Sequence, residues 1–193
     1  MDENPFGHSQ YLLRKQLIKV FGGTFRIYNP SGEMSLFVSM KAFKLKEDIR
    51  VYTEEQKIHE VLVIKARSII DFSAAYDVWD PLTNGKIGVL KRRGLKSLLK
   101  DEWVIMNAED QDIGIITEDS WLLAILRRFI TALIPQKFLG EIGGSPVFEF
   151  QQHFNPFVLK MDLNYGADVN RVLDRRLGIA AAILLCSIEG RQR

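Results

Sequence analysis

A single cysteine, Cys186, stands among 193 residues, so no intramolecular disulfide can form and a reducing compartment suits the chain. Histidine is nearly as scarce. His8, His59 and His153 lie far apart in the sequence, and no trio stands at metal-ligand spacing. The chain has no Gly-x-Ser-x-Gly elbow, no P-loop and no dinucleotide fingerprint. Enzymatic chemistry is thus left without a visible motif, and neither metal nor cofactor is expected. An excess of one charge is also missing: 26 Lys and Arg nearly balance 24 Asp and Glu, for a formal net charge of +2. That is too little to argue for nucleic acid, so any electrostatic partner must be recognised by a local cluster. Residues 1–10 are polar, with early acids and no apolar stretch of the kind a secretory signal carries. They are expected to form a flexible tail ahead of a single domain over 11–193. No Ser/Gly/Pro-rich linker divides the remainder, and the length suits one hydrophobic core.

Long apolar runs are lacking as well, with one exception near the C-terminus. Between Leu177 and Ile188 there is no charge, and Leu177, Ile179, Ile183, Leu184, Leu185 and Ile188 fall on every side of a helical wheel. A helix that is apolar all round must be buried all round, in lipid or in protein. Twelve residues of helix rise only about 18 Å, whereas a bilayer's hydrocarbon core is about 30 Å thick. Asp174, Arg175 and Arg176 on one side, and Glu189 and Arg191 on the other, make a longer membrane span expensive, with a C-terminal membrane anchor as the alternative reading. The segment therefore reads as a core helix, with Gly178 and Ala180, Ala181 and Ala182 letting neighbours approach closely. Cys186, on that helix, reads as a packing residue.

What the chain has in quantity is short alternating stretches closed by turn residues. Thr24-Phe-Arg-Ile-Tyr-Asn29 meets Pro30-Ser-Gly32 and resumes at Ser35-Leu-Phe-Val-Ser-Met-Lys41, a hairpin pattern. The same plan recurs over 75–90, 103–116 and 138–150, and further strands are predicted at 49–52, 61–66, 69–74 and 158–163. About a dozen strands in one region point to a closed barrel or a sandwich, and closure removes exposed edges. One more segment breaks the β pattern: Asp119-Ser120 caps an amphipathic helix through Trp121, Leu122, Ile125, Phe129 and Leu133, stopped by Pro135. The predicted fold is mainly β, an antiparallel barrel of about twelve strands. Its interior would be too wide for its own side chains and would be filled by the apolar C-terminal helix.

The densest charge cluster lies at 86–100, where Lys86, Lys91, Arg92, Arg93, Lys96 and Lys100 occur without an acid. These six form the candidate binding site, able to hold an anionic headgroup at about 1 kcal/mol per cation near a charged surface. In a strand, however, Lys91 and Arg93 share one face and Arg92 takes the other, so a solvated hairpin with edge-protecting lysines is the competing reading. The series Asp162-x-Asn164-x-Gly166-x-Asp168 has oxygens at cation-like spacing. An EF-hand loop needs Gly and Glu where Ala167 and Leu173 stand, so a turn with capping acids is expected instead.

Several of these pieces together resemble the Tubby C-terminal-like superfamily, which includes the LURP-one-related proteins and the phospholipid scramblases. Phe25-x-Ile-Tyr-Asn-x-x-Gly32 is similar to that family's opening hairpin. Tyr76-Asp-Val-Trp-Asp80 with Gly88-Val-Leu-Lys-Arg-Arg93 is similar to its central one. Asp101-Glu-Trp103 through Ile113-Gly-Ile-Ile-Thr-Glu118 is similar to the next, and Leu173-Asp-Arg-Arg-Leu-Gly-Ile-Ala-Ala-Ala182 to its terminal helix. The resemblance spans roughly residues 11–189 and implies a twelve-stranded barrel around a hydrophobic helix. It also implies phospholipid as the ligand class. The expectation is a cytoplasmic, non-enzymatic module that binds anionic phospholipid headgroups, peripherally at a membrane. A soluble module that binds a protein partner is the alternative.

Overall fold

The structure, a computed structural model, describes residues 4–16, 23–40, 48–67, 74–93, 102–118, 136–153 and 158–189. Twelve strands and one helix follow one another: β1 (Gln10–Gln16), β2 (Thr24–Tyr28), β3 (Met34–Met40), β4 (Asp48–Tyr52), β5 (Glu60–Ala66), β6 (Ala75–Asp80), β7 (Gly85–Arg92), β8 (Glu102–Met106), β9 (Asp112–Glu118), β10 (Lys137–Ile142), β11 (Ser145–His153), β12 (Val158–Asn164) and α1 (Arg175–Glu189). Each strand pairs antiparallel with its neighbours in sequence, and β1 pairs with β12 to close the barrel. Seven opposed pairs, from Gln10↔Asn164 to Gln16↔Val158, form that closing seam. The predicted hairpins are β2–β3, β6–β7, β8–β9 and β10–β11. The strand expected at 69–74 and the amphipathic helix expected over 119–135 lie outside the described residues, apart from Ala74.

Alternation places one apolar set inside: Phe25 and Ile27, Leu36 and Val38, Ile49 and Val51, Leu62 and Ile64 are all 1% exposed or less. A ring of twelve strands leaves a lumen that these side chains cannot fill alone, and α1 occupies it. No side chain from Leu177 to Ser187 is more than 3% exposed. The helix touches opposite walls of the barrel: Leu177 lies against Gly88 on β7, and Cys186 Sγ is 3.7 Å from Met161 Sδ on β12. Asp174 caps it, its carboxylate accepting from the Arg176 amide at 2.9 Å. Among the described residues no helix is long and apolar enough to cross a membrane.

The up-and-down topology sends five turns, β2–β3 through β10–β11, and the segment 165–174 to the end where α1 enters. Residues 4–9 meet the same end. Tyr11 Oη donates to the Pro5 carbonyl at 2.9 Å, Tyr165 N to the Ser9 carbonyl at 2.8 Å, and Arg175 Nη1 to the His8 carbonyl at 3.2 Å.

Candidate functional site

The basic run nominated by the sequence begins on β7, and its described members have different surroundings. Lys86 Nζ lies 2.6 Å from Asp110 and 3.8 Å from Asp77, carboxylates that Arg67 also binds. Hydrogen bonds from Lys86, then from Arg67, hold the Asp110 carboxyl below the usual range. Arg93 is paired with Glu102. Arg92 stands opposite Trp103, on the face that turns to the core, and is half-buried. Lys91 is exposed and has no ion-pair partner among the described residues. Lys96 and Lys100 lie outside those residues. The period of two thus separates neighbours that the sequence lists together.

On the opposite side of the barrel, register brings together basic side chains that are far apart in sequence. His153 on β11 faces Lys160 on β12, Lys160 faces Arg14 on β1, and Arg14 faces Arg26 on β2. Like charges directly opposed across strands are destabilising. The outer two have carboxylate neighbours: His153 Nε2 is 2.6 Å from Asp162, and Arg26 is paired with Glu55. The inner two, Arg14 and Lys160, have no carboxylate partner among the described residues. Arg14 instead lies 5.0 Å above the Tyr28 ring, a cation–π contact that leaves its guanidinium edge available.

Beside this pair runs a cleft of about 360 Å³. Leu12 and Tyr28 form its apolar surface, Asp162 and Asn164 one polar side, and Arg14 its lower end, with the β2–β3 turn at Pro30 and Gly32 above. Gly32 adopts φ +81°, a left-handed conformation that glycine reaches without a Cβ penalty. Leu12 and Arg14 face outward because Tyr11 and Leu13 face the core, at 3% and 0% exposure. Arg14 and Lys160 were not nominated by the sequence. Each is unremarkable in its own segment, and only the β1–β12 register joins them.

The oxygens of the 162–168 series diverge. Asp162 turns to His153, Asn164 Oδ1 accepts from Gly166 N at 2.8 Å, and the Asp168 carboxylate accepts from Val172 N and Leu173 N at 2.7 and 3.2 Å. The series is a turn with capping side chains. Among the described residues no group of three or more His, Cys, Asp or Glu is placed to hold a metal ion.

At the entrance of α1, Arg176 joins Asp174 at 2.6 Å to Asp80 at 2.9 Å. Burial acts to raise the Asp80 pKa, but hydrogen bonds from Leu82 N and Thr83, with Arg176 nearby, outweigh it and hold the carboxyl below its ordinary value.

Comparison of the chain with known protein families, with curated proteins and with solved structures gives no match. Fold and surface therefore define the class on their own terms: a closed twelve-stranded antiparallel barrel with a buried axial helix. Beside a cleft, its outer wall carries two opposed cations that have no carboxylate partner among the described residues.

Proposed function

We propose that the protein is a non-enzymatic binding module for anionic phospholipid headgroups at a membrane surface, and that Arg14 and Lys160 make the contact. The observation that carries this reading is the direct opposition of those two cations, with no carboxylate partner among the described residues. The repulsion is a standing cost that a bound phosphate relieves, and a guanidinium stacked on an aromatic ring is pre-oriented for such an anion. The resemblance to the Tubby-like superfamily, whose members include phosphoinositide-binding domains and scramblases, supports the same ligand class. Relative to the sequence expectation, the contact moves from the β7 run, where Lys86 and Arg93 already hold carboxylates, to the seam.

Cosedimentation with vesicles tests the proposal. The full chain is expected to bind phosphatidylcholine vesicles containing phosphatidylserine, weakly or not at all without it, with affinity falling as salt rises. At about 1 kcal/mol per cation, Arg14→Ala with Lys160→Ala loses about thirtyfold in binding, whereas Lys86→Ala changes little. Failure to bind acidic vesicles at low salt overturns the reading in favour of a soluble protein-binding module. Loss of binding in Lys91→Ala with Arg92→Ala, but not in the seam variant, returns the contact to β7.

A further inference from the structure

The cleft beside the β1–β12 seam is lined by charges of both signs. Arg14 lies at its lower end, and Asp162 with Asn164 forms the polar side above. Register sets the spacing: Arg14 faces Lys160, and Leu12, two residues back along β1, faces Asp162. Asp162 therefore stands one outward-facing step above the cationic pair, roughly 7 Å along the strand. Long side chains can meet across such a step, yet these turn away from each other. Arg14 lies over the Tyr28 ring on β2 at 5.0 Å, and Asp162 turns to β11, with its Oδ2 2.6 Å from His153 Nε2. Among the described residues no ion pair joins Asp162 to Arg14 or to Lys160.

Two polar atoms remain unused in the space between. His153 takes Oδ2 of Asp162, which leaves Oδ1 to accept. Asn164 Oδ1 accepts from Gly166 N at 2.8 Å, which leaves Nδ2 to donate. Leu12 supplies apolar surface beside them. The other acids of this neighbourhood already have partners among the described residues. Glu33, on the β2–β3 turn, accepts from Asn29 Nδ2 at 3.1 Å, and Glu149, opposite Asn164 on β11, pairs with Lys137 at 3.0 Å. Glu55 pairs with Arg26.

A simple anion would use the two cations and leave Asp162 as a repulsive neighbour. A ligand that carries a phosphate and a primary ammonium on a two-carbon link uses both, because link and hydrogen bonds together span one such step. We propose that the cleft selects a phosphoserine-type ester: Arg14 and Lys160 take the phosphate, Asp162 Oδ1 accepts from the ammonium, and Asn164 Nδ2 donates to the carboxylate. The link carbons then lie over Leu12. The inference rests on the headgroup reading above and adds selectivity to it. A choline headgroup has no N–H to give Asp162, and phosphatidylglycerol has no nitrogen, so each forgoes that contact. Phosphatidylserine and free O-phosphoserine share the required groups. A phosphoserine within a peptide does not, since its nitrogen is acylated.

The test compares phosphatidylcholine vesicles of equal surface charge, containing about one-third phosphatidylserine or about one-third phosphatidylglycerol. The full chain is expected to bind the first about tenfold more tightly, the worth of one hydrogen bond to a charged group. Asp162→Asn keeps an oxygen for His153. It is expected to lose that preference, binding phosphatidylglycerol vesicles as well as the unaltered chain does, with an unchanged melting temperature. Soluble O-phospho-L-serine is expected to displace the chain from phosphatidylserine vesicles at lower concentration than its N-acetyl derivative. Equal binding to the two vesicle sets, left equal by Asp162→Asn, overturns the selectivity while the headgroup reading stands. No binding to either set and none to O-phospho-L-serine overturns both. Binding of O-phospho-L-serine in calorimetry, with no binding to vesicles, keeps the chemistry of the cleft and overturns its membrane source.

Discussion

Gly178 shows how closely single residues are fitted. A Cβ built there would lie 2.2 Å from Tyr165 Oη. The Tyr165 ring has no easy retreat: its hydroxyl donates to the Arg175 carbonyl at 2.7 Å, Arg175 stacks 4.3 Å above it, and Tyr11 and Phe148 meet it edge-on. In an open helix, glycine to alanine stabilises by up to about 1 kcal/mol. Here the clash reverses that sign. Gly178→Ala is expected to cost about 1–3 kcal/mol, lowering the melting temperature by roughly 3–10 °C for a chain of this size, as read by circular dichroism. Adding Tyr165→Phe removes the oxygen that is struck and recovers part of the loss. A higher melting temperature for Gly178→Ala would show that helix and ring do not meet in this way. The sequence marks Gly178 as a place of close approach, but the identity of the approaching group depends on where α1 lies against the 165–174 segment.

At the scale of elements, α1 was the most legible part of the chain. Its length, charge-free interior and all-round apolar surface need no partner to be recognised, and the Asp174 cap sits just ahead of them. Strand β1 was less legible, for a physical reason. Leu12 faces the outer cleft, while Lys15 lies 4.9 Å from the Phe25 ring, so the run Tyr11-Leu-Leu-Arg-Lys loses its alternation. The hairpins were readable because turn chemistry and period-two patterning are both local. If α1 is the barrel's axis, then a charge at its centre has no water and no partner to reach. Leu184 is 1% exposed. Leu184→Asp is therefore expected to cost at least about 3–5 kcal/mol, a large share of the 5–15 kcal/mol typical of a folded domain. Loss of cooperative melting and rapid proteolysis across the whole chain would register it, with Leu184→Met as a near-neutral control. A Leu184→Asp chain that melts like the unaltered protein would refute the axial helix.

For the whole molecule, the least legible features were those made by distant pairing. Closure joins Gln10 to Asn164 and Arg14 to Lys160, and no local pattern announces either pair. The candidate site therefore lay in plain sequence but not in one segment, whereas the compact run from Lys86 was conspicuous and is partly neutralised. Charge balance at the same scale sets the response to acid. With 26 basic residues against 24 acidic ones, protonating the carboxylates leaves the chain strongly positive and removes the partners of Arg176, Arg67, Lys86 and Arg26. Several of those carboxyls ionise more readily in the fold than in an unfolded chain. Asp110 is lowered by Lys86 and Arg67, and Glu55 by Arg26. Glu54 is lowered to about 2 by Thr53 and by the amides of His59 and Ile58. Asp80 is lowered by its turn amides and Arg176 against the opposing effect of burial. A carboxyl whose folded pKa is depressed contributes stability that is complete above its unfolded pKa, about 4, and is lost as pH falls through the folded value. The melting temperature is accordingly expected to stay nearly level from pH 7 to pH 5 and to fall steadily from about pH 4.5 to pH 2.5. Asp80→Asn should melt lower than the unaltered protein at pH 7, and the gap should narrow as pH falls below the ordinary carboxylate range, because only the unaltered protein has that charge to lose. Thermal melts of both chains across this range decide it, and curves that coincide from pH 7 downward would mean that the Asp80–Arg176–Asp174 bridge adds nothing to the fold.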